Sequence, residues 1–162
     1  AKTILYATLY GASSGKVGTI IGGKESDGKR IIDNFSKSVP AYATLKAKVE
    51  RMAEKGSLPG LDGRKLQVRS THSALNTLLQ SAGAIIAKQW LIEARRMLRE
   101  AKIPYKQVAF VHDEVQIEVH EKYGEEVGKI MVEAARVAGD LLSFRCPVGA
   151  EYKIGKTWAD CH

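Results

Sequence analysis

Three consecutive residues, His112-Asp113-Glu114, set an imidazole beside two adjacent carboxylates. The flanks are apolar and strand-like. Val108-Ala109-Phe110-Val111 precedes the triplet, and Val115, Ile117 and Val119 alternate with Gln116, Glu118 and His120 after it. This pattern predicts two strands with the triplet at the hairpin tip, outside the core. Adjacent carboxylates repel, and a cation relieves that repulsion. Mg²⁺ takes one or two carboxylates and fills its shell with water and substrate phosphate oxygens. Two-metal phosphoryl transfer uses such a donor pair together with a carboxylate from another segment. The competing reading is an acidic turn in solvent, and the residues alone leave both open.

Two other groupings could bind ligands. Lys2, Tyr6 and Tyr10 recur every four residues, so on a helix they share a face. An ammonium and two amphipathic rings on one face could hold a phosphate and stack a base or sugar; an amphipathic helix with a snorkelling lysine has the same spacing. Asn76 and Gln80 are also four apart. Amides so placed could reach base edges or sugar atoms in a minor groove, or could bond to each other along the helix. The stretch Gly11-Ala12-Ser13-Ser14-Gly15-Lys16 is not a phosphate loop. That motif needs four residues between its glycines and Ser or Thr after the lysine, whereas Val17 follows Lys16.

The elements that must position these groups are mostly helical. The spacing predicts a helix over 2–10 stopped by Gly11, and a short helix capped by Ser13 or Ser14 and closed by Gly22-Gly23. Further helices are predicted over 26–38 and from Pro40 through Met52. Residues 56–60 read as a loop and Arg64 to Arg69 as a strand. A long helix is predicted over about 74–100, and a second over about 121–142, after the hairpin. Phe144 to Ile154 is expected to return to the sheet. Helices in one block, then a hairpin and a helix, give an α+β class.

The chain has 162 residues, of which 44% are hydrophobic and 27% charged, which suits one packed domain and not a disordered chain. No apolar run approaches the roughly 20 residues of a membrane span. Two cysteines cannot build a disulfide framework. A soluble, cytoplasmic protein without a membrane role is expected. Lys plus Arg total 25 against 18 Asp plus Glu, a formal charge of +7, which suits a phosphate-rich partner.

Taken in order, these segments resemble the C-terminal part of family A (Pol I-type) DNA polymerases, the phage replicative branch in particular. Lys2-Thr3-Ile4-Leu5-Tyr6-Ala7-Thr8-Leu9-Tyr10-Gly11 is similar to the K-x-x-x-[FY]-x-x-x-Y-G half of polymerase motif B. Gly60 to Lys65, followed by Ala74 to Ala84, resembles the family's segment beside primer and template. Val111-His112-Asp113-Glu114 resembles motif C, and Trp158-Ala159-Asp160-Cys161-His162 resembles phage enzymes that end in histidine.

The resemblance implies an antiparallel hairpin carrying the His-Asp-Glu motif and flanked by long helices. It also implies a partial fingers subdomain over 1–60 and a partial palm over 61–162. Lys2 would bind the triphosphate of an incoming dNTP, Tyr6 would pack on its sugar and base, and Tyr10 would stack under the templating pair. Tyr at position 6 is associated in the family with weak discrimination against dideoxynucleotides. Arg64, Asn76 and Gln80 would contact DNA, and His112 the primer end; His72 stands where the family has an arginine, four residues before Asn76. Asp113 would ligate both Mg²⁺ ions, with Glu114 supporting the site. The implied reaction is attack of a primer 3′-hydroxyl on a dNTP, and the implied partners are primer-template DNA, dNTPs and an upstream polypeptide carrying the motif A aspartate. Because that aspartate is absent from these residues, the chain is expected to hold Mg²⁺ weakly and not to polymerise alone. Self-association through palm surfaces left uncovered is expected too. The alternative from another class is a non-catalytic nucleic-acid-binding module derived from a polymerase.

Overall fold

The computed structural model describes residues 2–161. His162, quoted with the terminal motif, lies outside the described residues. The chain folds as two compact units, 1–82 and 83–162. The fold is helix-rich with two small antiparallel hairpins, which agrees with the α+β expectation.

The first unit holds α1 (Lys2–Leu9), α2 (Ser14–Ile20), α3 (Glu25–Ser38), α4 (Pro40–Ala53), β1 (Ser57–Pro59), β2 (Lys65–Gln67) and the start of α5 (Ala74–Glu100). Gly11 takes φ +78°, the left-handed conformation that lets a helix end fold back. The Ala12 N–H then donates to the Ala7 carbonyl (2.8 Å) and the Gly11 N–H to Thr8 (3.1 Å), so α1 stops there. Ser13 accepts the Lys16 N–H at 3.3 Å and caps α2. Pro40 is tolerated in the first turn of α4, where no backbone donor is needed. Tyr42, Val49, Ala53, Leu58, Ala74 and Leu75 make the core, with Leu9, Phe35 and Leu78 packed on it. The buried Tyr42 hydroxyl donates to the Thr8 carbonyl at 2.9 Å, tying α4 to α1. Residues 57–59, within the 56–60 stretch read as loop from Gly56, Gly60 and Pro59, are a strand: Leu58 pairs with Leu66 and buries in this core.

The second unit comprises the rest of α5, β3 (Tyr105–Val111), β4 (Glu114–Val119), α6 (Gly124–Leu141) and α7 (Trp158–Cys161). Ala94, Leu98, Ile103, Val127, Met131 and Ala134 form its core, and Val115, Ile117 and Val119 of β4 pack against it. The hairpin register slips by one at Val108, which is left unopposed. Residues 144–154 do not rejoin a sheet. They run along α6 instead, with Val148, Tyr152 and Ile154 seated over Gly139, Gly128 and Gly124. The helix glycines make room for that approach: a β-carbon on Gly128 would lie 2.3 Å from the Tyr152 ring.

Candidate active site

The hairpin turn is shorter than the motif suggests. Val111 pairs with Glu114, so only His112 and Asp113 form the turn and Glu114 begins β4. His112 has φ +56°. A positive φ at the first central residue matches the right-handed twist of a tight hairpin. His112 and Asp113 are exposed, whereas Glu114 is half-buried. Glu114 Oε1 accepts the Trp158 indole N–H at 3.0 Å and also the Gln116 side-chain amide. A cleft of about 1080 Å³ passes this point, its wall including Asp113, Glu114, Lys156 and Trp158. Sequence reading gave Gln116 and Trp158 no role. Gln116 could have been found, since i and i+2 share a strand face; Trp158 lies 44 positions from Glu114 and carried no local signal.

The turn that bears Trp158 is built around Asp160. Its Oδ2 accepts from the Lys156 N–H (3.1 Å), the Thr157 N–H (2.8 Å) and the Thr157 hydroxyl (2.9 Å). The Thr157 hydroxyl and then its N–H hold the Asp160 carboxyl below the usual carboxylate range.

In the first unit, α1 presents its proposed ligand face to solvent. The Tyr6 and Tyr10 rings stack with centroids 6.0 Å apart, and Lys2 Nζ stands 6.0 Å from the Tyr6 centroid. All three residues are exposed, while Thr8 on the opposite face is buried. At the end of α1, Gly11 lies so close to the main-chain oxygen of His72 that a β-carbon would sit at 3.3 Å. This brings Tyr10 near the start of α5, which carries Asn76 and Gln80. Asn76 Oδ1 is buried without a hydrogen-bond partner among the described residues, and Gln80 is exposed. The Arg64 guanidinium is engaged by its neighbour: Nε donates to both Asp62 oxygens, at 3.0 and 2.7 Å. That pairing holds the Asp62 carboxyl below its ordinary value.

Charge is unevenly divided. Residues 1–82 carry 13 Lys and Arg against 6 Asp and Glu, whereas residues 83–162 carry 12 of each. The excess of +7 therefore resides in the unit with Lys2, Tyr6, Tyr10, Asn76 and Gln80. Among the described residues no three His, Cys, Asp or Glu side chains group as metal ligands. Asp113 and the adjacent Glu114 are the two carboxylates that the hairpin offers, a number that Mg²⁺ completes with water and substrate oxygens. No helix of the described residues is long and apolar enough to cross a membrane.

The model of DNA polymerase family A matches residues 1–160. The DNA-directed DNA polymerase of Escherichia phage T7 is 38% identical over 187 aligned residues, covering 100% of this chain and 26% of the phage protein. That of Enterobacteria phage T3 is 37% identical over 184, with 100% and 26% covered. DNA polymerase I of Aquifex aeolicus is 27% identical over 167, with 98% and 29% covered. Among solved structures, the POL domain of Pol1 from M. smegmatis, in complex with DNA primer-template and dNTP, shares the fold with a TM-score of 0.76. It is 21% identical, with 85% of this chain and 26% of that one covered. The chain thus spans about a quarter of the length of these relatives. A match that runs through α1, both hairpins and α5 to α7 places the chain in one family: it belongs to DNA polymerase family A.

Proposed function

We propose that these residues are the C-terminal part of a template-directed DNA polymerase that extends a primer 3′-hydroxyl with dNTPs. The family match over residues 1–160, with Asp113 held in solvent at a hairpin tip, carries this reading. Residues 1–60 serve as part of the fingers and residues 61–162 as part of the palm. Lys2 binds the triphosphate, Tyr6 packs on the sugar and base, and Tyr10 stacks beneath the templating pair. Their exposed, stacked arrangement supports this, because a base needs an accessible π-face.

Arg64, Asn76 and Gln80 contact DNA. Asn76 Oδ1 is buried without a partner among the described residues, so its amide must turn outward to accept a hydrogen bond from a bound strand. Arg64 must exchange Asp62 for a phosphate, and Arg is suited to either by its forked donors. His112 meets the primer end. Asp113 and Glu114 are the residues that would hold Mg²⁺. Bound there, the metal supplies charge stabilisation for phosphoryl transfer. The second carboxylate, that of motif A, would come from residues other than these 162. The protein works in the cytoplasm, of the host cell if phage-encoded.

The test is reconstitution. Mixed with a polypeptide supplying the remaining three quarters of the family fold, the chain should restore Mg²⁺-dependent primer extension that neither part shows alone. DNA binding without any extension by the mixture would instead support a non-catalytic nucleic-acid-binding module.

A further inference from the structure

Trp158 is half exposed, so core packing does not explain its position. Its polar contact is specific. The indole N–H donates to Glu114 Oε1 at 3.0 Å, and the Gln116 amide donates to the same oxygen. Two donors converging on one oxygen restrain rotation of the carboxylate about χ3.

The turn that delivers the indole is constrained in turn. A four-residue helix does not stand by its own hydrogen bonds. α7 is held by the three donors on Asp160 Oδ2. A β-carbon at Gly155 would lie 2.3 Å from Asp160 Cβ, so the loop closes tightly only over glycine. Tyr152, a few residues earlier, donates its hydroxyl to Glu125 Oε2 at 2.8 Å and lies over Gly128. The path from α6 through residue 152 to α7 is thus tied down at several points, and it ends on the carboxylate next to Asp113.

We propose that Trp158 is a positioning residue: with Gln116 it holds the Glu114 carboxylate in one orientation beside Asp113, so α7 sets the donor geometry of the hairpin tip. This rests on the polymerase reading above for what that geometry serves. Groups that orient metal-site carboxylates act on the reaction without touching substrate. An indole suits the task, since it donates and never accepts, and so cannot compete for the cation.

Two measurements test it. In ¹H–¹⁵N spectra of the chain, the two tryptophans give two indole N–H signals. Glu114→Ala should move the Trp158 signal and leave that of Trp90, whose N–H donates to the Met131 carbonyl at 2.8 Å and reports an intact fold. A Trp158 signal that stays put while Glu114 is removed overturns the proposal and leaves family membership untouched. In the reconstituted polymerase, Trp158→Phe keeps a ring and loses the donor. It should lower kcat for single-nucleotide incorporation about 10- to 100-fold without raising KM for dNTP. Added to Glu114→Gln, it should cost nothing more. Independent, multiplying losses overturn the positioning role in an enzyme that still works. A mixture inactive even with Trp158 intact refutes the polymerase reading, and the role with it.

Discussion

Replacing His112 by glycine and, separately, by alanine divides what its backbone does from what its imidazole does. The residue is the first of two in the β3–β4 turn, with φ +56°. In that region the β-carbon of an L-residue crowds the following carbonyl oxygen, at a cost of about 1–2 kcal/mol. Glycine has no β-carbon and escapes the strain, but gives back about 0.5–1 kcal/mol through its greater freedom in the unfolded chain. Alanine keeps the strain. The glycine variant should therefore be more stable than the alanine variant by about 1 kcal/mol. For a chain of this size that is about 2–4 °C in Tm. Circular dichroism melts of the two variants, at one pH and concentration, measure the difference. Both variants lack the imidazole, so both should lose primer extension alike in the reconstituted polymerase. An alanine variant as stable as the glycine variant would refute the left-handed turn. Full activity in either would remove His112 from the primer end.

Gly28→Ala should destabilise by about 1–3 kcal/mol, since its β-carbon would fall 2.0 Å from the Ser14 carbonyl oxygen and force α2 from α3. Gly15→Ala, with nothing within 4 Å, should stabilise slightly, and denaturant titration of both checks the packing. Asp160 has a lowered folded value, so its contribution is present above the unfolded carboxylate value of about 3.9 and is lost as pH falls through the folded one. The Trp158 indole signal should accordingly hold its position down to about pH 4 and broaden below it, and broadening near neutral pH would contradict the Asp160 anchor. Tyr6→Phe should sharpen rejection of dideoxynucleotides in the reconstituted enzyme, and equal incorporation ratios would sink that assignment. Each hairpin has only two strands among the described residues, and Ile92, Val108 and Leu141 are each about 60% exposed. Open edges and exposed apolar groups favour pairing with another chain, so sedimentation should show concentration-dependent association, where a strict monomer would count against it.

Local signals carried much of this fold. Gly11, Ser13 and Pro40 each act within one helical turn, and each ends or starts its helix where its own chemistry requires. Other helix ends gave no such sign. Lys102 and Ser143 take the left-handed position after α5 and α6, which glycine usually fills, with the Ile103 N–H donating to Leu98 and the Phe144 N–H to Gly139. Non-local packing was not legible either. Ser57-Leu58-Pro59 looks like loop until Leu66 is brought opposite Leu58. Residues 144–154 look like a strand until the glycines of α6 offer a nearer surface. The same boundary divides the candidate site. Asp113 and Glu114 are neighbours in sequence and announced themselves, and the four-residue spacing of Lys2, Tyr6 and Tyr10 predicted the face on which the rings stack. Trp158 reaches Glu114 only through the tertiary path along α6.

On the polymerase reading, Asp113 works in the reaction and not merely in the turn. Rapid-quench measurement of single-nucleotide incorporation by the reconstituted polymerase, with Asp113 and with Asp113→Asn, tests it most directly. Asparagine keeps the shape and the turn propensity but loses the charge that a metal-binding carboxylate must supply. Primer-template binding should be unchanged and the incorporation rate lower by at least about a thousandfold, the scale of removing about 4 kcal/mol of transition-state stabilisation. An Asp113→Asn enzyme that incorporates nucleotide at the rate of the unaltered one would contradict that role.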